Sequence, residues 1–269
     1  MVRRGYVNAG NGQLHYRQAG RRTKDQVPLI ALHLVPNSSQ VFEVFMEHMS
    51  EHRTVIAFDL PGFGMSDGVQ EDTIEIYAKV IARGIAELGY TRVDLLGYHT
   101  GAAVALELEK LLPESVRFMV LAAIPLLTDE ERRRFAALPP IPFDESGDFV
   151  KAEWNRSFKW RGPGQSVDSV KRTFAEKMRP GARERGAQAV VRYELKERLA
   201  SLKKPLLVIR PNDDLWEATL RAKPLLSEAI WVEFPNYGHG LFEVAGPSMA
   251  DLIQGFLSDP SNSLRQTNL

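Results

Sequence analysis

Val93-Asp94-Leu95-Leu96-Gly97-Tyr98-His99-Thr100-Gly101-Ala102-Ala103-Val104-Ala105-Leu106-Glu107-Leu108 passes from an apolar run through a glycine-bracketed pentapeptide into an Ala/Leu-rich helical pattern. It reads strand, sharp turn, helix. Two glycines permit a strained turn, and the middle residue of the pentapeptide they bracket is His99. Fold and chemistry both depend on what the rest of the chain arranges around this imidazole.

Upstream, Gly5 to Gly20 alternates polar and apolar residues about Asn11-Gly12, which predicts a hairpin with a two-residue turn. Val27 to Val35 and Thr54 to Leu60 are almost wholly apolar, the pattern of strands covered on both faces. A helix from about Gln40 to Met49 separates them, with Ser38 or Ser39 available as its cap. Glu71 to Leu88 carries Ile74, Tyr77, Ala78, Ile81, Ile85 and Leu88 on one helical stripe, closed by Gly89. Downstream, the helix of the opening stretch must end before Pro113, and Val116 to Ile124 supplies another buried strand.

From Pro125 to Lys204 this rhythm breaks, with prolines at 139, 140 and 142 and Trp154, Phe158 and Trp160 set among charges. It resumes with the strands Pro205 to Ile209 and Ile230 to Phe234 and a last amphipathic helix from Pro247 to Leu257. Alternating buried strands and helices predict an α/β fold, a mostly parallel twisted sheet flanked by helices. The expected division is a core of residues 1–124 and 205–269 with a helical cap inserted over 125–204.

Composition narrows the function. Lys plus Arg (34) balances Asp plus Glu (34), so no global field attracts nucleic acid or an anionic membrane, and a small ligand is expected. Cysteine is absent, which removes disulfides, thiolate catalysis and thiolate metal ligands. The arginines at the N-terminus precede no apolar segment of signal length, and no run of about 18 apolar residues occurs. The chain reads as soluble and cytoplasmic, with association into a homodimer left open.

Four further motifs follow the same order. Leu32-His33-Leu34-Val35-Pro36 ends the third strand, Asp59-Leu60-Pro61-Gly62-Phe63-Gly64-Met65-Ser66 ends the fourth, Pro211-Asn212-Asp213-Asp214 follows the strand after the insertion, and Asn236-Tyr237-Gly238-His239-Gly240 with Glu243 follows the last. Together with the pentapeptide, these resemble the oxyanion loop, the D-x-P-G-x-G-x-S loop, the acid loop, the histidine loop and the G-x-S-x-G nucleophile elbow of the α/β-hydrolase fold superfamily, in its chain order. The resemblance covers nearly all of the chain outside the cap and the C-terminal tail. It implies a cofactor-independent enzyme acting on an ester, lactone or C–C bond of a small apolar or aromatic substrate. Where the superfamily carries serine or aspartate as nucleophile, this chain has His99.

By position in these motifs, His239 is the expected base and Asp214, ahead of Asp213, its carboxylate partner. The backbone N–H groups of Thr100 and of Val35, ahead of Leu34, are the expected oxyanion donors. His99 has two readings: an imidazole nucleophile deprotonated by His239, or a residue that orients the substrate while the His239–Asp214 pair activates water or abstracts a proton. The same residues would serve a lyase or isomerase, and loss of the nucleophile would suit a non-catalytic receptor. Leu34, Tyr98, Trp154, Phe158, Trp160 and Phe242 are the expected pocket lining. His33 and Asp59 are expected to brace their loops. A metal held by His99 and His239 has no clustered ligand motif behind it, since the carboxylate is expected on the far side of His239, so no metal is expected.

Overall fold

The computed structural model describes residues 1–10, 12–23, 26–137, 142–159 and 161–260. Eight strands form one sheet: β1 (Arg3–Asn8), β2 (Gln13–Ala19), β3 (Leu29–Leu32), β4 (Val55–Phe58), β5 (Val93–Tyr98), β6 (Val116–Ala122), β7 (Leu206–Pro211) and β8 (Ile230–Phe234). Their order is β1-β2-β4-β3-β5-β6-β7-β8. β1 and β2 pair antiparallel, as do β2 and β4, and every other pairing is parallel. The mostly parallel α/β sheet read from the sequence is therefore present. The first hairpin differs: Asn8 pairs with Gln13, so four residues join the strands rather than two. Asn11 itself lies outside the described residues.

The helices are α1 (Glu43–Met49), α2 (Ile74–Glu87), α3 (Thr100–Leu111), α4 (Asp129–Ala136), α5 (Asp148–Lys159), α6 (Val167–Lys177), α7 (Ala182–Arg192), α8 (Leu195–Ser201), α9 (Trp216–Arg221), α10 (Leu241–Val244) and α11 (Gly246–Ser258). α4 to α8 fall between β6 and β7, where the repeating pattern breaks. The two faces of the sheet explain the near-continuous apolar strands, because successive side chains point to opposite sides. Ile30, Leu32, Ile56 and Phe58 join the core under α2 and α3. Leu29, Ala31, Val55 and Ala57 join the core under α1 and α11.

At the amino end of β5 the Asp94 carboxylate, fully buried, accepts from Arg53 at 2.8 Å, from Arg117 Nε at 2.9 Å and Nη2 at 2.6 Å, and from the Phe118 N–H at 3.2 Å. Arg53 continues to Gln254 on α11 at 2.7 Å. This network ties β5, β6 and α11 together at the end of the sheet opposite His99.

Candidate functional site

The turn from β5 into α3 puts His99 at φ 52° and ψ −117°, a conformation rare for a residue with a side chain. Two close approaches make it feasible only with glycine on both sides. A Cβ on Gly97 would lie 2.4 Å from the Gly101 carbonyl oxygen, and one on Gly101 would lie 2.0 Å from that of Leu32. β5 thus delivers His99 to the carboxyl ends of the strands, where β7 brings Asp213 and Asp214 and the loop after β8 brings His239. α3 begins at Thr100, whose backbone N–H has no acceptor within its own helix.

Two His–Asp pairs meet at this point. The His99 Nε2–H donates to Asp213 Oδ2 at 2.8 Å, and Asp213 Oδ1 also accepts the Leu215 N–H at 2.9 Å. The His239 Nε2–H donates to Asp214 Oδ1 at 2.9 Å, and that oxygen lies 4.0 Å from His99 Nε2. The imidazole centroids are 5.2 Å apart with the planes tilted by 35°. Asp213 is sealed from solvent at the carboxylate, whereas the Asp214 side chain is 38% exposed and faces the cavity.

Electrostatics follows from the pairing. Burial alone would lower the His99 pKa, but the Asp213 charge, its hydrogen bond and the Asp214 charge outweigh it, and the value is raised. For Asp214, burial favours the neutral acid, yet the His239 hydrogen bond and the charges of His99 and His239 hold it well below the usual carboxylate range.

The sequence expectation placed Asp214 with His239, and that contact is present. Asp213 instead pairs with His99, and all four groups meet, neither of which any local sequence motif indicates. The carboxylate does not lie beyond His239, away from His99; one atom from each of His99, Asp213, Asp214 and His239 falls within 4.8 Å of the others. The physical reason is that two adjacent aspartates leaving β7 face different ways, one into the protein and one into the cavity.

The cavity over these residues has a volume of about 360 Å³. Leu34, Val35, Tyr98 and Phe242 line it, with contributions from α5, α6 and α7 above. Trp154 and Phe158, expected in the lining, instead stack edge to face, and Trp154 does the same against Phe174, with centroids 5.0 and 5.2 Å apart. They pack the inserted helices together rather than facing the cavity. Trp160 lies outside the described residues. Tyr98 is 1% exposed and its hydroxyl finds no hydrogen-bond partner among the described residues. Burial, then the Asp213 and Asp214 charges, push its pKa up, so the phenol stays protonated and is a donor.

The loops around the site are braced as the sequence suggests. His33 Nδ1–H donates to the Leu34 carbonyl at 2.7 Å and Nε2 accepts the Leu60 N–H at 2.8 Å, so both nitrogens are satisfied only in the neutral ring. Asp59 accepts from His15 at 2.8 Å, from the Ser39 N–H at 2.8 Å and from the Met65 N–H at 2.8 Å. Ser38 caps the short 3-10 turn Ser39–Phe42 and its hydroxyl also bonds Glu176 on α6. Arg161, just past α5, forms a β-bridge with His239, which ties the inserted segment to the histidine loop.

These contacts predict acid sensitivity. Burial lowers the His33 pKa, so its contribution to stability is complete above the unfolded value near ~6.5 and is lost as pH falls through the folded value. The depressed Asp59 pKa adds a loss that begins near pH ~4. Urea unfolding of His33→Gln between pH 7 and 5 is expected to show a shallower pH slope than the wild type, by up to ~1.4 kcal/mol per pH unit. Equal slopes would contradict the neutral-ring arrangement.

A family model described as the alpha/beta hydrolase family matches residues 34–251, and the chain belongs to that family. It is 25% identical over 272 residues to the proline iminopeptidase of Clostridium botulinum, covering 90% of each protein. Its fold matches that of the esterase RhEst1 from Rhodococcus sp. ECU1013 at TM-score 0.79 and 22% identity, covering 96% of this chain and 98% of that one. The enol-lactonase from Burkholderia xenovorans LB400 matches at TM-score 0.76 and 17% identity, over 95% and 100%. No helix among the described residues is long and apolar enough to cross a membrane.

Proposed function

We propose that this protein hydrolyses an ester, lactone or C–C bond in a small apolar or aromatic substrate by direct attack of water, with no covalent intermediate. The observation that carries the reading is the hydrogen bond from His99 Nε2 to Asp213 at 2.8 Å. A nucleophilic imidazole needs the lone pair of its outer nitrogen. Here that nitrogen carries the proton donated to a buried carboxylate, which also fixes the ring. His99 is then a positioning group for the substrate carbonyl.

His239 is the base. Asp214 accepts from Nε2, which leaves Nδ1 as the nitrogen that takes the proton of water, and the carboxylate stabilises the imidazolium that results. The N–H groups of Thr100 and Val35 are the proposed oxyanion donors, at the N-terminus of α3 and on the loop after β3. The inserted helices serve as a cap that excludes bulk water from the cavity. The similarity to an iminopeptidase, an esterase and an enol-lactonase supports attack on an acyl carbon.

A screen of acyl esters, lactones and β-diketones against the wild type, His239→Ala and His99→Ala tests this. Turnover in the wild type with solvent oxygen in the product is expected, with the deepest loss in His239→Ala. Equal activity in all three proteins, or tight binding without turnover, would contradict it.

A further inference from the structure

The four side chains at the carboxyl ends of β5, β7 and β8 offer two imidazole nitrogens and two carboxylate oxygens within 4.8 Å of one another. Donors around a tetrahedral ion with bonds of ~2.1 Å stand ~3.4 Å apart. The 2.8 and 2.9 Å contacts within the pairs and the 4.0 Å separation of His99 Nε2 from Asp214 bracket that spacing. The adjustment falls on the more exposed members. His99 and Asp213 are 11% and 0% exposed at the side chain, whereas His239 and Asp214 are 26% and 38% exposed and can rotate toward a common centre.

Charge and second contacts suit a cation. Two carboxylates sit against two imidazoles, and Asp213 is already oriented by the Leu215 N–H at 2.9 Å, the kind of outer contact that holds a metal ligand in place. Tyr98 lines the same cavity with its ring centroid 4.8 Å from that of His99, and its buried hydroxyl has no hydrogen-bond partner among the described residues. A buried donor left unmade is costly, and an oxygen bound to an ion at this centre would satisfy it. Had the residue at the elbow been serine, the set would lose one nitrogen donor.

We propose that His99, Asp213, Asp214 and His239 form a binding site for a divalent transition-metal ion. Two nitrogens, two oxygens and no sulfur favour Zn²⁺, Co²⁺ or Ni²⁺ over Mg²⁺ and Ca²⁺, which prefer all-oxygen shells. The inference goes beyond the hydrolytic reading and does not rest on it. An ion here would displace the protons shared within the two pairs and coordinate His239, so metal content would set whether that ring can act as a base.

The test is titration of chelator-stripped protein with Zn²⁺ by calorimetry and with Co²⁺ by visible absorption. Wild type is expected to take up a single equivalent at micromolar affinity or tighter, with d–d bands of a low-coordinate site for Co²⁺. His99→Ser and Asp213→Asn should each weaken Zn²⁺ binding by at least about tenfold, while His48→Ala, an exposed control on α1, should not. Thermal unfolding identifies any variant that fails to fold, and His239→Ala then replaces it. Absence of saturable binding, or undiminished affinity in folded His99→Ser, would overturn the site. Neither result depends on turnover, so the metal site and the hydrolytic reading fail separately.

Discussion

Alanine at position 239 is expected to lower kcat/KM on any substrate found in the screen by about 10²–10⁴-fold, the usual worth of a positioned general base. The loss should fall on kcat, because the ring accepts a proton only as water attacks. Asp214→Asn should reproduce much of it. An asparagine that turns its amide N–H groups toward His239 no longer stabilises the imidazolium, and one that turns its oxygen there lacks the charge. His99→Ala should cost less than His239→Ala, since the outer His99 nitrogen is held by Asp213 and is not asked to form a bond. If His99→Ala proves the more damaging change, the imidazole is the nucleophile after all. Steady-state kinetics on the three variants, with circular dichroism to verify folding, decides the order.

The largest effect on stability is expected far from the cavity. Asp94 is wholly buried between Arg53 and Arg117, and removing it leaves two guanidinium groups facing each other with no anion between them. Breaking a buried pair in this way costs about 3–5 kcal/mol, so Asp94→Ala should shift the urea midpoint strongly. Asp94 is five residues from His99 on an extended strand, roughly 16 Å at ~3.3 Å per residue. The folded fraction of the variant should therefore keep its kcat. A stability change below about 1 kcal/mol would show the network to be no stronger than a surface ion pair.

Much of this architecture is legible in the residue pattern because burial on both faces leaves a strand no choice but continuous apolar sequence. β5 follows that rule along its length and β6 from Met119 to Ala122, whereas β8, at the edge of the sheet, buries only Ile230 and carries the exposed Glu233. β3 and β4 are shorter than their apolar runs, ending at Leu32 and Phe58, because the apolar residues beyond them turn into loops braced by His33 and Asp59. The elbow is legible for a different reason: Gly97 and Gly101 are forced by backbone contacts that admit no Cβ. Side-chain partners are less legible. His99 and Asp213 are 114 residues apart, and nothing local distinguishes which of two adjacent aspartates turns inward. Nor does aromatic composition separate cavity lining from packing. Trp154 and Phe158 satisfy their apolar area against each other and Phe174, while Leu34 and Tyr98 meet the cavity.

The site thus differs from a serine hydrolase by more than a single side chain. His99 pairs with a second aspartate, Asp213, at 2.8 Å, and on the proposed mechanism this pair holds its proton where a nucleophile would need a lone pair. Rapid-quench intact-protein mass spectrometry during turnover tests this most directly. Unmodified protein is expected at every time point while product accumulates, and an acyl adduct on the peptide carrying His99 would contradict the water-attack mechanism.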